Sequence, residues 1–162
     1  MPSVRPSRSA GFTLLELMVT LAIVAVLGLL TVPVLQISVQ RAKEQELRTA
    51  LHEIRGALDA YKRAAEANDI EVPPEASGYP PNLEILVSGV PWRDTQKKGK
   101  LYLLRRLPRD PMNPQTELSP VATWGQRSYA SEASAPQPGA DVFDVYSLSN
   151  KLGLNGIPYA AW

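Results

Sequence analysis

Glu16 stands where a carboxylate is costly. From Phe12 to Leu35 the chain is apolar apart from Thr13, Thr20, Thr31 and this one charge. At about 1.5 Å per residue the run makes a helix of roughly 36 Å, enough to cross a hydrocarbon layer of about 30 Å. An ionised carboxylate in that layer costs on the order of 3 kcal/mol. Two solutions are open: the side chain reaches the headgroups from a helix end, or it meets a buried cation whose own desolvation is offset in the same step. Immediately before the run stands Gly11, and the ten residues ahead of it carry Arg5 and Arg8 with no acid.

The rest of the chain offers little for covalent or metal chemistry. There is no cysteine and one histidine, His52. Thiolate metal sites, disulfides and Cys- or His-based nucleophilic arrangements therefore have no basis here, and His52, beside Leu51, reads as a helix-surface residue. Asp110, held extended or in a turn by Pro111, can accept nearby backbone N–H groups and reads as a structural clamp. With 17 basic and 16 acidic groups the net charge is +1, so charge gives no indication of a nucleic-acid partner.

The elements that must position these residues begin with one helix from about residue 12 to about 67. Its first half is apolar all round. Pro33 lacks an N–H and crowds the carbonyl of Leu29, and Gly28 lowers helix propensity, so residues 28–33 are expected to kink or loosen. In the second half Leu47, Leu51, Ile54, Leu58 and Tyr61 form a stripe at spacings of three and four, with charges on the other faces and helix pairs such as Glu44 with Arg48 and Asp59 with Lys62 or Arg63. Residues 68–82 are a proline-rich loop, and Asn82 caps a short helix over 83–87. Residues 88–100 read as a solvated basic loop. Strands are predicted over 124–131 and 141–149, joined by a polar connection. In the second strand Val142, Asp144 and Tyr146 face one way and Phe143, Val145 and Ser147 the other. The tail after Leu152 is rich in turns, and Tyr159 and Trp162 are expected to lock it down. The fold class is α+β: a long N-terminal helix, membrane-spanning in its first half and amphipathic in its second, packed on a small antiparallel sheet.

The run Gly11-Phe12-Thr13-Leu14-Leu15-Glu16 behind a short basic leader resembles the processing site of type IV pilins and type II secretion pseudopilins. The Tyr79-Pro80 loop and the segment Leu107-Pro108-Arg109-Asp110-Pro111-Met112-Asn113 narrow the resemblance to the major pseudopilins, the protein G family. That resemblance implies a type IV pilin-like fold and cleavage between Gly11 and Phe12 by a prepilin peptidase, with N-methylation of Phe12. It also implies pairing of the Phe12 amine with Glu16 of a neighbouring subunit, and extensibility around Gly28 and Pro33. The domains follow: residues 1–11 a cytoplasmic leader, 12–37 the transmembrane and assembly helix, 38–162 a periplasmic globular domain. Arg5 and Arg8 agree with a cytoplasmic leader. A cleaved secretory signal fits less well, because the apolar run is long, carries Glu16 and lacks a small-x-small site.

The implied function is that of a structural, non-enzymatic subunit of an inner-membrane-anchored pseudopilus that supports export of folded proteins. Its partners would be the peptidase, further copies of itself, minor pseudopilins and the assembly platform. The alternatives are a type IV pilus subunit for adhesion or DNA uptake, resting on the basic, aromatic segment 91–106, and a plain single-pass anchor. Many protein G members bind calcium in the loop after the last strand. Here residues 147–156 contain no carboxylate and include Lys151, whereas calcium wants several oxygen ligands with carboxylates among them. No cofactor and no tight calcium site are therefore expected, Asp141 and Asp144 being the only nearby acids.

Overall fold

The computed structural model describes residues 11–162, with residues 29–34 described by backbone alone; the leader and the side chain of Pro33 lie outside the described residues. Helix α1 is Leu14–Glu66, a single α-helical element that includes the span holding Gly28 and Pro33. Helix α2 is Glu84–Ser88, and the Oδ1 of Asn82 accepts the Ile85 N–H at 3.1 Å, as its capping position predicts. Four short strands follow: β1 (Val90–Pro91), β2 (Lys100–Leu101), β3 (Trp124–Arg127) and β4 (Asp144–Ser147). They form two separate two-stranded antiparallel ladders, β1–β2 and β3–β4. The fold is thus α+β, with two small ladders rather than one sheet. The chain divides into two units, residues 1–39 and 40–162.

The core of the second unit is the amphipathic stripe of α1. Leu47, Leu51, Ile54, Leu58 and Tyr61 are all buried, and they cluster with Ile70, Leu83, Leu86, Val90, Trp124, Val142, Val145 and Tyr159. The spacing of apolar residues puts them on one helical face, and burial of that face, rather than intrinsic propensity, holds the segment in place.

Both predicted strands are shorter in the structure than their β-like composition suggested. In β4 Val145 and Ser147 are buried while Asp144 and Tyr146 are not, as alternation requires. Val142 departs from that alternation: it is buried because it lies before the strand begins, with its N–H bonded to the Pro80 carbonyl at 2.8 Å. In the ladder Gly125 faces Tyr146, and a Cβ at Gly125 would overlap the Tyr146 ring. The β1–β2 ladder was not anticipated; it turns the basic 88–100 segment into a hairpin seated against Asp69, whose carbonyl accepts the Arg93 N–H at 2.8 Å.

Asp110 is buried and does clamp: its Oδ1 accepts the Met112 N–H at 2.8 Å and its Oδ2 the Ser147 hydroxyl at 2.7 Å, tying the proline-rich segment to β4. Two charges assigned to the solvated face of α1 turn inward instead. Arg55 bonds Asp144 Oδ1 at 2.8 Å and the Val145 and Trp162 carbonyls at 3.2 and 2.8 Å. Glu44 is buried, and its Oε1 accepts the Leu154 N–H at 2.8 Å, the Tyr159 hydroxyl at 2.9 Å and the Gln40 amide at 3.2 Å. Arg48, its expected surface partner, lies over the Trp162 ring at 4.5 Å. These residues on the helix, together with Tyr159 packed edge-on against Trp162, fasten the C-terminal tail.

Burial raises the pKa of Glu44, but the bonds from Leu154, Tyr159 and Gln40 and the nearby Arg48 charge outweigh it and leave the carboxyl below its ordinary value. Asp141 behaves alike: burial raises it, and hydrogen bonds from Ser77, Ser128 and the Tyr129 N–H bring it below the ordinary value. A lowered folded-state pKa contributes stability that is whole above the unfolded value and is lost as pH falls through the folded one. Unfolding midpoints of the detergent-solubilised chain are therefore expected to hold near neutral pH and to fall progressively below the ordinary carboxylate range, about pH 4. Glu44→Gln should shrink that acid-limb loss; an unchanged limb would show that Glu44 does not carry it. Ile54→Ala, which empties a fully buried site on the stripe, should cost about 2–5 kcal/mol in urea denaturation. Gly125→Ala should cost about 1–3 kcal/mol by overpacking against Tyr146.

Candidate functional site

Gly11, Phe12 and Thr13 precede α1 and are exposed, Phe12 at 81%. The peptide between Gly11 and Phe12 therefore lies in accessible, non-helical chain. Thr13 caps the helix: its Oγ1 accepts the Glu16 N–H at 3.2 Å and its carbonyl accepts the Leu17 N–H at 3.1 Å. Thr13 and Glu16 thus occupy the N-cap and N3 positions of a Ser/Thr-x-x-Glu capping pattern. The capping pattern is legible in the sequence as Thr13 three residues before Glu16, ahead of the apolar run. The consequence is electrostatic. The Glu16 carboxylate sits in the first turn, where unpaired N–H groups make the helix end positive and favour an anion. Among the described residues no side chain or N–H donates to that carboxylate, so its charge is available to a cation brought from outside the chain.

C-terminal to Glu16 the helix is apolar and uncovered. Leu17, Met18, Leu21, Ile23, Val24, Val26 and Leu27 are each more than half exposed. Gly28 has open space where a Cβ would stand. A contiguous apolar surface of this kind on a protein chain marks a site covered by lipid or by another protein. Among the described residues no helix is long and apolar enough to cross a membrane; the apolar run read from the sequence continues through residues 29–34, of which only the backbone is described. The structure thus brings Gly11, Phe12 and Glu16 together at one helix end, with Gly28 further along the same helix.

Calcium in the loop after β4 would need carboxylate donors. Residues 147–156 supply no carboxylate. The nearest acids are engaged: Asp144 with Arg55 at 2.8 Å and Arg127 at 3.3 Å, and Asp141 with the Ser128 hydroxyl at 2.7 Å and the Tyr129 N–H at 2.9 Å. Glu44, the one carboxylate that reaches this loop from α1, has its Oε1 filled by three donors. Among the described residues no group of three acidic, histidine or cysteine side chains converges.

A groove of about 850 Å³ runs between the 72–81 and 128–141 loops, with Tyr79 and Tyr129 stacked along it and Asp141 held as above. In the 91–106 segment Lys97 is paired with Asp69 at 3.3 Å and lies over the Trp92 ring, Arg93 is bonded to the Asn68 side chain, and Lys100 to the Ser88 carbonyl. Much of the basic strip thus serves to hold its own hairpin. His52 is exposed on α1.

Residues 6–32 match the family model for the prokaryotic N-terminal methylation motif. The type II secretion system core protein G of Klebsiella pneumoniae is 32% identical over 123 residues, spanning 74% of this chain and 80% of that protein. The core protein G of Klebsiella michiganensis is 29% identical over 141 residues, with 85% and 92% covered. That of Aeromonas hydrophila is 33% identical over 117 residues, with 70% and 75% covered. No solved structure matches the chain. A methylation-motif match that includes the exposed Phe12, a carboxylate four residues on that accepts no donor among the described residues, and likeness to these proteins over most of their length agree: the chain belongs to the type II secretion system core protein G family.

Proposed function

We propose that this chain is a structural, non-catalytic subunit of the type II secretion pseudopilus. In this reading the fold is type IV pilin-like. Residues 12–37 anchor the chain once through the inner membrane, and residues 38–162 form the periplasmic domain. A prepilin peptidase cuts between Gly11 and Phe12, Phe12 is N-methylated, and copies assemble through their apolar helices. Minor pseudopilins and the assembly platform act as partners, and Gly28 and Pro33 give the helix room to adjust as it packs.

The observation that carries the reading is the exposed apolar face of α1 headed by a carboxylate that has no donor among the described residues. Apolar burial supplies the drive for association but no register, since it is non-directional. The charge supplies register. A Phe12 ammonium and a Glu16 carboxylate of neighbouring copies are each costly when buried alone and compensate when they meet. A contact between two different places on the same chain repeats head to tail and gives an open fibre where the rotation does not close. The relatives favour secretion over the adhesion or DNA-uptake alternative, since those compared are core secretion proteins.

Glu16→Ala and Glu16→Gln test the register role. Both should leave cleavage at Gly11–Phe12 largely intact while lowering sheared fibre by at least about tenfold, because breaking one partner of a buried charge pair costs about 3–5 kcal/mol. Wild-type amounts of fibre from either variant would end the pairing idea.

A further inference from the structure

The C-terminal loop is closed in a way that neither the family likeness nor the methylation motif describes. We propose that Glu44 takes the place of a bound cation in this loop, so that the loop is held on α1 by the protein's own carboxylate and requires no metal. The geometry is that of an inverted site. A cation in a loop gathers oxygen ligands around a positive centre; here one negative centre gathers donors. Glu44 Oε1 collects the Leu154 N–H from the loop, the Tyr159 hydroxyl from the tail and the Gln40 amide from one helical turn earlier. The Gln40 amide also lies 3.0 Å from the Tyr159 oxygen and 3.5 Å from the Leu152 carbonyl. Three positions of the tail, Leu152, Leu154 and Tyr159, are thereby referred to two positions on α1.

The loop's own backbone supports the same closure. The Gly153 N–H bonds the Ile157 carbonyl at 2.9 Å, the Tyr159 N–H bonds the Lys151 carbonyl at 3.1 Å, and Leu152 bridges Pro158. The Asn155 Oδ1 accepts the Ile157 N–H at 3.0 Å. A Cβ at Gly153 would run into Trp162 and Asn155, so the loop closes tightly around that residue. The Lys151 and Ile157 carbonyls and the Asn155 Oδ1 each already accept a backbone N–H. Lys151 is compatible with an anion-centred loop and would oppose a cation-centred one. The charged and titratable groups facing Glu44 are Arg48 on α1 and Tyr159 in the tail. The Tyr159 hydroxyl is raised above its ordinary pKa, first by burial and further by Glu44, although Gln40 pulls it down, and it therefore stays a donor at physiological pH.

Hydrogen exchange at the Leu154 and Tyr159 amides of the full chain in detergent, with the thermal midpoint, tests the proposal. In millimolar calcium chloride and in EDTA the wild type should show the same protection and the same midpoint. A genuine site filled to about a hundred times its dissociation constant would raise the midpoint by on the order of 10 °C. Glu44→Ala should lose protection at Leu154 at least about tenfold while core amides on α1 such as Ile54 keep theirs, with no recovery on adding calcium. If Glu44→Ala fails to fold, Tyr159→Phe, which removes one donor and keeps the ring, should give a smaller loss at the same amide. A calcium-dependent midpoint or protection in the wild type would overturn the proposal, as would full Leu154 protection in Glu44→Ala. Neither readout uses fibre assembly, so failure here leaves the pseudopilus reading standing.

Discussion

An apolar helix surface with nothing on it is the constraint from which the rest follows. Among the described residues, 14–28 are all exposed, so the free energy that usually folds a helix onto its own domain is realised only when lipid or another copy covers it. The same helix, from Leu47 to Tyr61, carries a narrower stripe that its own domain does cover. One element thus holds two kinds of surface: one completed by folding and one completed only by association. Glu16 lies in the first kind and Glu44 in the second, and their environments differ accordingly. Glu16 is exposed in the first turn, favoured by the helix end and, among the described residues, without a donor; Glu44 is buried with three donors on its Oε1.

Without disulfides, the loops of the second unit are held by carboxylates, buried or half-buried, meeting donors. Asp110 joins the proline-rich segment to β4, Asp144 joins β4 to α1 through Arg55, and Glu44 joins the tail to α1. No buried side-chain nitrogen or oxygen among the described residues lacks a partner. Such networks are costly when half satisfied and specifying when complete. Complete satisfaction lets strands of two and four residues persist where a larger sheet is absent.

The processing motif, the two-faced helix, the short capped helix and the Asp110 clamp were legible because each rests on local order: a hexapeptide, a period of 3.6, an Asx cap, an Asp-Pro turn. What was not legible rests on distant pairing. The β1–β2 hairpin looked like a solvated basic run because its lysines and arginines are exposed even while they hold it. Arg55 and Glu44 looked like members of a charged helix face, and nothing local reveals that partners 89 and 110 residues away draw them inward. Val142 broke the alternation because the strand starts two residues after it. Thr13 differs: its capping role is a local signal, three residues from Glu16.

The measurement closest to the central claim is the mass of the intact chain and of its N-terminal peptide, taken from membranes of the native host. A chain that begins at Phe12 and carries one added methyl would establish that Gly11–Phe12 is cut and that the new amine, the proposed partner of Glu16, exists. A chain that still begins ahead of Gly11, with no methyl, would leave Glu16 without its cation and would contradict assembly through that pair.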